Sequence, residues 1–179
     1  ADDNTAIGYY ALSACTGGNN VAVGSGAADA VTTGDNNVAI GQNTLTALTI
    51  GENNVAVGQG AMNSLVGSGS DNSAGKRNVG IGASAMGNLK ATHADAYTDD
   101  NIAIGYTAGL AGQRGSAVPF SGNICIGSNT LNATGTGTSL GQIAIGHNAL
   151  TALTTGAKNT VIGYATGEAL LTGVINTSL

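Results

Sequence analysis

Tryptophan is absent from this 179-residue chain, phenylalanine and proline occur once each, and only 8% of residues are charged. A conventional compact domain of this length needs large apolar fillers, and the near-absence of aromatics excludes one. Two cysteines, Cys15 and Cys125, give no disulfide framework. Basic residues number five against ten acidic ones, and the net charge of −5 is scattered along the chain. No basic stripe exists to follow nucleic-acid phosphate, so nucleic acid is not an expected partner. No run of about 18 apolar residues could span a bilayer as a helix, and no leader-like segment is present. The chain opens and closes inside a repeat without an initiator Met, which reads as an excerpt of something longer.

What the sequence has in quantity is glycine, thirty of them, and repetition. "GDNNVAIGQNTL" (Gly34 to Leu45) returns as "GENNVAVGQGAM" (Gly51 to Met62). Anchored on the glycine that closes the motif, nine copies fill the chain, at Gly8, Gly24, Gly41, Gly58, Gly82, Gly105, Gly127, Gly146 and Gly163. The basic unit is 16 or 17 residues, and a fixed period of this length signals a solenoid.

Three residues before the anchor the repeat carries Thr5, Val21, Val38, Val55, Val79, Ile102, Ile124, Ile143 and Thr160, and one before it Ile7, Val23, Ile40, Val57, Ile81, Ile104, Ile126, Ile145 and Ile162. Residues two apart share one face of a strand, so these columns predict one β-branched face, expected to point inside each roll. Between them lie Ala6, Ala22, Ala39, Ala56, Gly80, Ala103, Cys125, Ala144 and Val161. A second face restricted to small residues predicts close approach by something else, and a threefold assembly with this column at the subunit contacts would supply it. The two cysteines are six copies apart, about 29 Å at the strand spacing of a sheet, too far for a bridge.

Four before the anchor stand Asn4, Asn20, Asn37, Asn54, Asn78, Asn101, Asn123 and Asn159, with Gln142 in the remaining copy. Asparagine is unfavourable within strands, but amides stacked in register bond to those above and below, so this column predicts a structural ladder. After the anchor, Leu12, Leu45, Met62, Met86, Leu131 and Leu150 recur, with Leu48, Leu65, Leu89, Leu153 and Leu170 three further on. This stretch reads as a short, bent second strand, and segments such as "TTGAKN" as the turn into the next coil. The expected fold is all-β: a parallel β-roll, or β-solenoid, of about nine coils in a single segment, 1–179, rising about 43 Å.

The motifs "NVAIG", "NTAIG", "NIAIG", "NICIG" and "NTVIG" resemble the head repeats of YadA-like trimeric adhesins, and the longer form "TGxxNVAIGxxALxxL" resembles repeats of bacteriophage tail fibres. The resemblance covers essentially the whole chain. It implies a left-handed parallel β-roll assembled as a homotrimer, with receptor binding or spacing as its task. A virion tail fibre facing a host-surface glycan or protein is the preferred setting, and a bacterial surface adhesin the alternative. The unit is longer than is typical of the adhesin heads, so no ligand surface is carried over.

Insertions depart from the repeat near 67–77, 90–100, 112–122 and 134–141, all at one turn of consecutive coils, and are expected to stack into one protrusion. They gather Lys76, Arg77, Lys90, His93, Tyr97, Arg114 and Phe120, which are the candidate receptor-contact residues. An enzyme is not expected. "IGQNTL" matches the hexapeptide pattern of left-handed β-helix acyltransferases, but only one such hexapeptide fits in each coil. His147, the histidine of the regular repeat, shares its column with Tyr9, Tyr106, Tyr164, Gln42 and Gln59, a surface turn position. No nucleophilic triad, zinc spacing, paired carboxylates across a cleft, phosphate loop or calcium repeat is found, and no cofactor is expected.

Overall fold

The computed structural model describes residues 3–65, 75–89, 97–110, 119–132 and 138–178. Within them the chain is all-β, with every paired strand parallel to its neighbours. The strands in chain order are β1 (Thr5–Ile7), β2 (Val21–Val23), β3 (Val38–Ile40), β4 (Val55–Val57), β5 (Val79–Ile81), β6 (Ile102–Ile104), β7 (Phe120–Ser121), β8 (Ile124–Ile126), β9 (Ser139–Leu140), β10 (Ile143–Ile145), β11 (Thr155–Ala157), β12 (Thr160–Ile162), β13 (Thr172–Val174) and β14 (Thr177–Ser178). Ten of them stack in one sheet, ordered β1-β2-β3-β4-β5-β6-β8-β10-β12-β14. The register follows the repeat without slippage, with Val38 opposite Val55, Ala39 opposite Ala56 and Ile40 opposite Val57. The result is a β-solenoid of about nine turns.

The tenth rung, β14, was not visible to glycine anchoring, because its anchor position, four residues after Asn176, would be residue 180. Its asparagine is the signal that remains.

Which face of the strand lies inside is the reverse of the sequence expectation. Ala22, Ala39, Ala56, Ala103, Cys125, Ala144 and Val161 are buried within the single roll, whereas Val38 and Val55 are partly exposed and Ile40 is 40% exposed. The small column therefore faces the interior and does not line a subunit contact. The interior is thin: opposite the alanines lie the long side chains of Leu45, Met62, Met86, Leu131 and Leu150, all fully buried. A Leu or Met on one wall leaves room for only an Ala on the other, and close packing enforces that pairing.

Two of the exceptions keep the same sum. A methyl placed on Gly80 would come within 2.8 Å of the Met62 side chain, so glycine there accommodates the longer methionine. Val161, the one large member of the small column, packs instead against Gly167, which stands where six of the other coils carry Leu or Met.

The stretch after the anchor is not a strand. Leu45 and Met62 have φ of 51° and 49°, left-handed values incompatible with extended backbone. The segment is a chain of turns tied coil to coil, with the N–H of Leu45 donating to the Ala61 carbonyl at 3.1 Å and that of Met62 to Ala85 at 2.9 Å. The second sheet lies in the segment read as the turn, just before the asparagine. It contains β7, β9, β11 and β13 in the order β13-β11-β9-β7.

Candidate functional site

Glycine and asparagine build the scaffold. Along the anchor column φ runs from 122° at Gly58 to 135° at Gly24, a region that side chains other than hydrogen rarely enter. From Gly8 to Gly146, a Cβ added to the anchor would run into the carbonyl of the anchor in the next coil. The asparagine column runs beside it and is buried from Asn20 to Asn159.

The regular amides of that column, Asn54 among them, work in three directions. The Asn54 Nδ2 donates to the Asn37 Oδ1 at 3.0 Å and to the Gly75 carbonyl at 2.6 Å. The Asn54 Oδ1 accepts from the Asn78 backbone N–H at 3.0 Å and from its Nδ2 at 3.1 Å. The same geometry links Asn78 to Asn101, Asn101 to Asn123, and Asn159 to Asn176. Asn4 begins the series, accepting from the Asn20 N–H and donating to the Gly17 carbonyl.

Gln142 is the irregular rung. Its Oε1 still accepts from Asn159, at 3.1 Å from the backbone N–H and 3.0 Å from the side chain. Its Nε2 is buried without a hydrogen-bond partner, whereas in the neighbouring coils that amide reaches a carbonyl, Ser139 for Asn123 and Gly173 for Asn159. Gln142→Asn is therefore expected to raise stability by about 1 kcal/mol by shortening the side chain to the length the other rungs use. A melting temperature that is unchanged or lower in this variant would refute the account.

The insertions leave the repeat at one position. Compared with Leu48 to Asn54, the extra residues enter after Leu65 and Leu89 and return at Gly75 and Tyr97, which occupy the places of Gly51 and Ile50. Two further insertions return at Pro119 and Thr138, also in the Ile50 place. Backbone bonds fix this register, with the Arg77 N–H donating to Glu52 O and the Asp100 N–H to Lys76 O, both at 3.1 Å.

Of the candidate contact residues, Lys90, His93 and Arg114 lie outside the described residues. The others belong to the regular coil. Lys76 pairs with Glu52 at 3.4 Å. Arg77 makes a two-pronged contact with Asp100, Nε to Oδ1 at 2.6 Å and an η nitrogen to Oδ2 at 3.0 Å. That contact raises the guanidinium pKa and lowers that of the Asp100 carboxyl. Neighbouring Asp99 is pushed upward by loss of water, against the opposing pull of the Lys76 N–H at 2.8 Å and of Arg77.

Tyr97 is exposed on the same edge. Phe120 is not a contact residue: it is 1% exposed and belongs to the core. Its coil has Gly112 where others carry Leu48, Leu65 or Leu89, and Phe120 restores apolar bulk to that coil from the inward glycine position of the second sheet. That gap in the leucine column is the signal by which the sequence could have disclosed its role.

The largest feature that sequence reading placed elsewhere is the outer face of the ten-stranded sheet. Ile40, Ile81, Ile102, Ile104, Ile126 and Ile162 are each exposed there, flanked by partly exposed Val21, Val38, Val55 and Val79. No charged residue enters either column from Thr5 to Ile162. One turn further round, Tyr9, Tyr106 and Tyr164 stand exposed, and His147 stacks on Tyr164 with ring centroids 5.3 Å apart.

Among the described residues no group of three or more His, Cys, Asp or Glu side chains could hold a metal ion, and no helix is long and apolar enough to cross a membrane. These features define a β-solenoid repeat protein with one uncharged, largely apolar face and one edge at which the insertions interrupt the repeat. No protein-family model, curated protein or solved structure matches the chain.

Proposed function

We propose that this chain is a structural and attachment segment of a trimeric fibre, a bacteriophage tail fibre by the resemblance of its repeat, in which three copies pack through the outward Val/Ile columns. The observation that carries the reading is that apolar face. Two β-branched columns along a roll about 43 Å tall make a stripe of roughly 300 Å². That area is within what single proteins expose, at about 300–600 Å² for the largest patch; what supports assembly is its unbroken run along the axis free of charge, which suits identical copies running side by side. The driving force is the removal of valine and isoleucine side chains from solvent, at about 25 cal/mol per Å². This places the contact on the opposite face of the strand from the alanine column.

Sedimentation equilibrium of the wild-type chain is expected to give a trimer. Ile81→Asp combined with Ile104→Asp puts two carboxylates on the apolar face and is expected to yield monomers whose circular dichroism keeps the β signature. A wild-type monomer, or a trimer that survives both substitutions, would overturn the assembly.

Attachment is assigned to the insertions, since the regular coils offer a monotonous surface. The register defines how to remove them cleanly: residues 66–74 are replaced by two residues, and residues 90–96, 113–118 and 135–137 by one each, as between Leu48 and Gly51 or Ile50. Gly75, Arg77 and Tyr97 stay in place. Loss of host-cell adsorption by fibres that remain trimeric is the expected result. Full adsorption would reduce the segment to a spacer.

A further inference from the structure

We draw no further inference here: the strongest candidate, the hydroxyl-lined shelf on the outer face of the second sheet formed by Thr138, Thr155 and Thr172 beside Ala157 and Val174, carries nothing because nothing in the structure shows what covers it.

Discussion

Gly58→Ala is expected to cost more than about 3 kcal/mol, a large fraction of the roughly 5–15 kcal/mol by which folded proteins are stable. Two effects add. The first is conformational: φ at Gly58 is 122°, and holding a side-chain-bearing residue in such a region costs about 1–3 kcal/mol. The second is steric, because the new methyl would lie 2.7 Å from both the carbonyl carbon and oxygen of Gly82. Those are backbone atoms of the next rung and cannot rotate away, so the two coils must separate and weaken the strand pairing between them. Gly60→Ala is the control. Its φ of 63° is the ordinary left-handed region, and its nearest neighbours would be side-chain atoms at 3.6 Å or more, so the cost should stay near 1 kcal/mol. Denaturant melts of the two variants, two residues apart in one coil, separate the contributions. Equal losses would remove the inter-coil explanation for the anchor glycine.

Asn54→Leu is the second large effect. The substitution leaves the Asn78 backbone N–H and the Gly75 carbonyl without the partners that Asn54 provides, in a region closed to water. Each orphaned group costs about 1–3 kcal/mol, so the loss should be about 2–6 kcal/mol. Asn4→Leu supplies the comparison. Asn4 is only partly buried and serves a single following rung, so water can replace much of what it contributes. A melting temperature unchanged in Asn54→Leu, or lowered equally in both, would show that the amides do not carry the stack.

The period, the parallel stacking and the register were legible because each rests on residues that recur: a glycine with no tolerated substitute, an amide that pairs with its own copies, and β-branched flanks. The inside and outside of the strand were not. Both faces of the tripeptide Val38–Ala39–Ile40 are restricted, and restriction alone does not say which of them points inward. The distinguishing information lay in a column read separately, the Leu and Met positions after the anchor. Those side chains must be buried, and a roll this thin cannot hold them opposite isoleucine. Gly80 beside Met62 and Val161 beside Gly167 record that compensation in the sequence itself.

The second sheet was missed for a related reason. Its strands run through segments such as Thr155–Ala157, where Gly156 occupies the inward position. Glycine there reads as a turn signal, yet the physical demand is space: an added methyl would collide with the Gly173 carbonyl of the next coil. The candidate contact edge was legible only as a departure from the period. Arg77 looked like part of an insertion, although its backbone bond to Glu52 makes it the counterpart of Asn53. Counting inward from both flanking anchors, not from one, recovers that register.

The unbroken pairing of each rung with the next has a consequence for how such a molecule can change its length. Because Asn37 to Asn53 forms a full period whose two ends present the same chemistry, duplicating those 17 residues should add one rung and lengthen the shaft by about 4.8 Å without altering its cross-section. Unequal recombination between neighbouring copies would then produce longer and shorter forms in steps of one strand, and the length of the solenoid becomes a quantity that gene rearrangement can adjust like a count.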